Sequence, residues 1–211
     1  MPPAPPPSAP RDAAALSAFL AATPALCAPL AALAALAPPD APPDAWPEAW
    51  IAAGFVRNAA WDALHGWPAG TNPPADLDVV WFDPSRATAA ADAALEASIR
   101  AALPGLPWSV RNQSRMAARN GDAPYAGTLD AMRRRPDTAT AVAARLDAQG
   151  SVEIAAPWGV DDLLAGIVRP TPAFAADPAK RAILARRIAG KAWLRRWPAL
   201  RILHDPPAPP R

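Results

Sequence analysis

The chain has 211 residues, enough for one domain with a real core and too few for two full enzyme domains. Hydrophobic residues make up 52% of it against 19% charged, and nine tryptophans accompany them, which excludes general disorder despite thirty prolines. The net charge of +2 hides an asymmetry useful to an anionic ligand: residues 1–100 hold ten acids and four bases, whereas 101–211 hold nine acids and seventeen bases.

Prolines crowd residues 1–10 and 205–211, which are expected to be disordered tails around a single domain at 11–204. Leu16, Phe19 and Leu20 make one helical stripe. Thr23 with Pro24 then opens a second helix carrying Leu26, Leu30, Leu33 and Leu36. This uncharged, alanine-rich stretch has the hydropathy of a membrane segment, but Pro24 and Pro29 break it and no basic region precedes it, so two packed helices and no membrane partner are expected. With Cys27 as the single cysteine and only His65 and His204, an intramolecular disulfide is excluded, a Cys/His zinc site is not expected, and a reducing, cytoplasmic setting follows.

Pro38 to Pro47 reads as a connector. After it, Ala49–Ala53 is a short apolar strand, Gly54 breaks it, and Phe55–His65 reads as a helix. Asp76–Phe82 is the clearest strand: two aspartates open a run of Leu, Val, Val, Trp and Phe. A long alanine-rich helix over 87–103 follows. Trp108–Gln113 and Val152–Ala156 are further strands, with helical stretches at 114–119, 128–134, 137–147 and 161–167 between and after them, and a final helix from Asp177 to about Arg196. The alternation predicts an α+β (mixed α/β) class, with a small mixed sheet flanked by helices, N-terminal helices and a basic C-terminal helix.

In Asp76-Leu77-Asp78 the period of two sends both carboxylates to one face. Two like charges so close repel unless a cation lies between them, and an oxygen-only donor pair suits Mg²⁺ or Mn²⁺ bound jointly by protein carboxylates and substrate phosphates. The upstream strand, Gly54 and helix start would offer free backbone N–H groups to phosphate, with Phe55, Arg57 and Asn58 in the first turn. Together the two features describe a metal and triphosphate site. Arg111 and Asn112 either touch base, ribose or phosphate, or pin their strand.

The segments Trp50–Asn58, Asp76–Pro84, Trp108–Gln113, Pro136–Ala141 and Ala156–Leu163 resemble, in the same order, an uncharacterised bacterial nucleotidyltransferase family of the DNA polymerase beta-like superfamily. The stretch from Gly54 to Gly66 is also similar to the glycine, Val-Arg-Asp and Leu-x-Gly signature of tRNA nucleotidyltransferases, with Phe55 at its second glycine and Asn58 at its aspartate. The resemblance implies a glycine turn for the triphosphate of ATP or another nucleotide, and Asp76 and Asp78 as metal ligands. It also implies a third carboxylate. The strand after the aspartate pair offers none, so Glu153 is the substitute candidate. The activity expected is transfer of a nucleoside monophosphate from a nucleoside triphosphate to an acceptor left open between RNA and protein, with pyrophosphate released. The alternative is a catalytically degenerate fold that binds nucleotide or RNA. The run from Asp177 to Arg201, with eight bases and one acid interleaved with Trp193 and Trp197, reads as a solvated helix face or a nucleic-acid strip, and Arg133–Arg135 read likewise.

Overall fold

A computed structural model describes residues 9–36 and 48–207. The expected connector at 38–47 lies outside them, as do most of the N-terminal tail and residues 208–211. A five-stranded sheet in the order β3-β2-β1-β4-β5 organises the molecule: β1 (Glu48–Ala52), β2 (Leu77–Phe82), β3 (Trp108–Asn112), β4 (Ala143–Leu146) and β5 (Val152–Ala155). Only β2 and β3 run parallel. A separate parallel pair joins β6 (Ile167–Val168) to β7 (Arg201–Ile202).

The two sheet faces have different covers. Ile51, Val79, Trp81, Val110 and Ala144 enter the main core, which α1 (Ala13–Ala22), α2 (Pro24–Ala34) and α3 (Gly54–Leu64) complete with Leu16, Leu20, Leu30, Val56 and Trp61, all fully buried or nearly so. The apolar N-terminal helices are thus a core layer, bent from each other by 92°, and no single helix among the described residues is long and apolar enough to cross a membrane. On the opposite face, Trp50, Ala52, Val80, Ala143 and Ala155 make a thinner cluster with Met132 of α6 (Thr128–Arg133). That side is only partly roofed, and Asp78 and Arg111 belong to it by register.

Buried carboxylates brace the frame. Asp92, on α4 (Ala89–Ala102), accepts from the Trp81 indole at 2.9 Å, from the Asn112 amide at 2.6 Å and from Arg115, so it ties β2, β3 and the following turn together. Asp62 of α3 accepts from the Trp197 indole at 2.9 Å and from the backbone and side chain of Asn72.

Two expected helices differ from the structure. The helix expected over 137–147 is instead a turn that becomes β4, paired to β1 through Ile51↔Ala144 and Ala52↔Ala143. Alanines favour helix locally, but residues 139–144 are buried on every side, and the ladder with β1 and β5 overrides that propensity. The helix from Asp177 starts as expected, with the Asp177 side chain capping the amides of Ala179 and Lys180, but it ends at Gly190. After α8 (Pro172–Ala176) and α9 (Pro178–Gly190), Ala192 turns left-handed at φ 50° and starts α10 (Trp193–Arg196). The break lets Trp193 and Trp197 pack edge-on against Trp61 at 5.4 and 5.2 Å. Both are completely buried, so they are core anchors for the basic segment and not exposed stacking surfaces.

Candidate active site

The antiparallel ladder sets Ala52 opposite Asp78. The next residue, Ala53, has φ 55° and ψ −113°, a conformation that non-glycine residues rarely adopt, and its amide donates to Val142 at 2.7 Å. The chain thus turns sharply out of β1 and α3 begins at Gly54, beside the start of β2. A Cβ on Gly54 would stand 3.0 Å from Cβ of Pro74, so glycine is what lets the loop leading to Asp76 pass this close. No side chain caps α3, which leaves its first amides for another acceptor.

Asp76 is exposed immediately before β2, and Asp78 is its second residue, half-buried on the open face. Burial pushes the Asp78 carboxyl above its ordinary range and the charge of Asp76 adds to that, while Arg135, 3.7 Å away, pulls it down. A half-buried carboxylate next to a second one is a place where a cation would gain attraction from both. Among the described residues no group of three His, Cys, Asp or Glu side chains gathers, so the available donor set is this pair of carboxylates. That set fits Mg²⁺, which commonly takes one or two protein carboxylates and fills its octahedron with water and phosphate oxygens.

A cleft of about 510 Å³ opens beside Asp78. Its walls carry six bases, Arg111, Arg119, Arg134, Arg135, Lys180 and Arg187, against Asp78 and Asp122. Gln113 and Asn120 add amides, and the rest of the lining is apolar or aromatic, including Met116, Tyr125, Ala131, Phe174 and Ile183. An anionic ligand with an apolar part matches such walls.

The site residues expected from the sequence divide into two groups. Asp78 and Arg111 line the cleft, Asp76 lies two residues before Asp78, Gly54 follows the strand end opposite Asp78, and Phe55 is buried at the start of α3. Arg57 and Asn58 point inward instead. The Arg57 guanidinium donates to Thr140 Oγ1 at 2.8 Å and Asn58 Oδ1 at 2.9 Å, and it lies over the rings of Trp61 and Trp193. Burial lowers its pKa to about 10, which still leaves it protonated at neutral pH. Asn58 donates to the carbonyl of Asn72 at 3.0 Å. Asn58 thus holds the loop that leads to Asp76, and Arg57 holds Asn58.

Asn112 and Glu153 stand apart from the residues lining the cleft. Asn112 is completely buried; its amide donates to the carbonyls of Asp83 and Arg86, and its oxygen accepts from Asp83, Ser114 N and Ser114 Oγ. These bonds clasp the end of β3. Glu153 lies on β5, three strands from Asp78, a distance of roughly 14 Å across the sheet. It pairs with Arg145 at 2.8 Å, and its side chain is 45% exposed, so the structure does not bring it to the aspartates.

Sequence reasoning missed Arg135, Lys180, Arg187 and Asp137. The first three sit in charge runs that resemble solvated faces. Asp137 is fully buried facing the charges of Arg57 and Arg187, with Oδ1 accepting from the Thr140 amide at 2.8 Å and Oδ2 without a partner among the described residues. Asp162 accepts from Arg169 and from Thr138 Oγ1.

The sheet with its glycine-started helix and carboxylate-bearing neighbouring strand defines a nucleotidyltransferase of the polymerase beta-like fold. The chain belongs to a nucleotidyltransferase family, whose profile it matches over residues 44–202. It is similar to an NMR structure described as a CCA-adding enzyme head domain, with 28% identity and a TM-score of 0.77 over 92% of this chain and 97% of that one. A CCA-adding enzyme complexed with CTP (19% identity, TM-score 0.52) and an apo CCA-adding enzyme (17%, 0.51) are each matched over 92% of this chain and 43% of theirs. At these identities the likeness is one of fold, and the chain spans less than half the length of either enzyme. No curated protein matches it.

Proposed function

We propose that the protein is a divalent-metal-dependent nucleotidyltransferase that moves a nucleoside monophosphate from a nucleoside triphosphate to an acceptor hydroxyl and releases pyrophosphate. The observation that carries this reading is the Ala52↔Asp78 register, which sets the uncapped start of α3 beside two carboxylates at the edge of a basic cleft. Asp76 and Asp78 would hold Mg²⁺ or Mn²⁺. Such an ion supplies charge neutralisation at the reacting phosphorus and the leaving oxygen.

The protein's own residues then bind and orient. The first amides of α3 donate to phosphate oxygens, and Arg187 and Arg135 add positive charge where negative charge accumulates on the departing pyrophosphate. Arg57 contributes through its field and holds Asn58, which bonds the loop carrying Asp76. The cleft's excess of bases over acids also favours an RNA end as acceptor over a neutral one.

The decisive experiment is titration of each nucleoside triphosphate with and without Mg²⁺ into the native protein and Asp78→Asn, followed by a transfer assay against RNA ends. Metal-dependent binding should disappear in the variant, and transfer should fall by about 10²–10³ or more, while thermal unfolding stays unchanged. Full activity in Asp78→Asn sinks the reading.

A further inference from the structure

The cleft has two chemically distinct ends, and α9 spans them. Lys180, Ile183 and Arg187 fall on one face of that helix by the i, i+3, i+7 rule, and all three line the cleft. Arg187 lies at the end where its charge is felt by Asp78, Asp137 and Arg57. Lys180 lies about 10 Å further along the axis, seven residues at the helical rise. There its ammonium contacts Asp122 at 3.2 Å and sits 5.7 Å from the centre of the Phe174 ring.

That far end is built. Asp122 accepts from the Tyr125 hydroxyl at 2.6 Å as well as from Lys180, and Asn120 donates to the same hydroxyl at 3.1 Å. The chain joins the loop after α5 (Met116–Asn120) to α9 and fixes a polar rim around an apolar floor. Ile183 is 45% exposed although it belongs to a strongly basic helix, and its exposed surface faces this floor together with Phe174. An apolar and aromatic surface edged by amide and ammonium groups, about 10 Å along α9 from Arg187, has the complementarity of a base-binding pocket.

Resting on the nucleotidyltransferase reading above, we infer that the Phe174–Ile183 surface with its Asn120–Tyr125–Asp122–Lys180 rim is the nucleobase subsite, and that α9 sets the distance from base to phosphates. The base lies against Phe174 and Ile183. The Asn120 carboxamide, with an acceptor and a second donor hydrogen beyond its bond to Tyr125, meets the base edge. Asp122 keeps Lys180 and Tyr125 in place.

The test separates base from phosphate. The four nucleoside triphosphates and inorganic tripolyphosphate, each with Mg²⁺, are titrated into the native protein, Phe174→Ala and Lys180→Met. Phe174 and Lys180 are partly exposed, and thermal melts check that both variants remain folded. The native protein should prefer at least one nucleotide to tripolyphosphate. Each variant should lose about tenfold affinity for that nucleotide and hold tripolyphosphate as before. If tripolyphosphate weakens in parallel, the Lys180 end holds phosphate and the subsite is overturned. Unchanged nucleotide binding in both variants overturns it as well, including the case in which they lose only an RNA oligonucleotide, which assigns that end to the acceptor. If the native protein binds neither tripolyphosphate nor nucleotide, the reading beneath the subsite falls with it.

Discussion

Gly54 and Pro74 lie against each other so closely that a single added methyl on the glycine would stand 3.0 Å from the proline Cβ. Pro74 precedes Asp76 by two residues, and Arg196 holds the same loop through Asn72 and the carbonyl of Pro73, both at 3.3 Å. The start of the phosphate-facing helix and the start of the carboxylate strand are therefore one packed unit.

Gly54→Ala tests that unit. Alanine in the first turn gains about 0.5–1 kcal/mol over glycine, whereas overpacking costs about 1–3 kcal/mol, so stability should drop by no more than about 2 kcal/mol. The loop is partly exposed and can yield by a few tenths of an ångström, which moves Asp76. Metal-dependent nucleotide binding should thus fall by about tenfold or more while Tm shifts by a few degrees. Calorimetric titration beside thermal melts would check it, and unchanged binding would show that the contact does not position the site.

The titration of Asp78 gives a second prediction. Its folded-state pKa lies above the ordinary aspartate value of about 3.9, chiefly through burial, with Asp76 adding to the shift and Arg135 opposing it. A cation competes with the proton for this carboxylate, so Mn²⁺ affinity should decline with falling pH, beginning above the ordinary aspartate range. Asp76→Asn should move the Asp78 midpoint down, and Arg135→Gln should move it up. Carboxyl NMR of the metal-free protein reads both directions, and a midpoint indifferent to either change would refute the arrangement.

The placement of Asp78 on its strand beside a glycine-started helix is legible in the sequence because strand period and glycine punctuation are local. The β1 and β2 strands, α3 and the Asp177 cap all follow from such signals. Residues 139–144 were misread because alanine's helical preference is weaker than burial in a central ladder, which no local window displays. The cleft was invisible for a related reason: Lys180 and Arg187 belong to a helix that reads as solvated, and only the break after Gly190 and the Trp193 and Trp197 anchors turn it over the sheet. Asn112 and Asn58 suit nucleotide contacts by type, and their hydrogen bonds to the carbonyls of Asp83 and Asn72 join loops that no local pattern displays.

Asn112 and Glu153 supply a contrasting pair. Removing the Asn112 carboxamide strands several partly buried groups, so Asn112→Ala should cost about 2–4 kcal/mol of stability. Nucleotide affinity at a temperature where the variant is folded should stay within about twofold, below the loss expected of a lost ligand contact. Glu153→Gln removes one exposed ion pair, worth about 0–1 kcal/mol, and should leave both stability and transfer rate near native. A large loss of transfer with retained folding in Glu153→Gln would return that residue to the active site.

Arg57 and Asp137 give the last test, because each faces the other's charge and each is buried with one polar atom, Nε and Oδ2, lacking a partner among the described residues. Burial raises the folded-state pKa of Asp137 above its unfolded value, with Arg57 opposing the rise. The folded protein thus holds this proton more tightly, and stability from it is present below the unfolded pKa of about 3.9 and lost as pH rises through the folded one. Asp137→Asn should remove that downward slope from denaturant-derived stability measured across the acid range. Arg57→Met should carry the slope to higher pH, since the opposing cation is gone, and should destabilise the protein at neutral pH by leaving the carboxylate uncompensated. The double variant should recover part of that loss, with a coupling energy of about 0.5–3 kcal/mol. Strict additivity of the two substitutions, or a slope that ignores Arg57, would mean that the two charges act independently beneath the cleft.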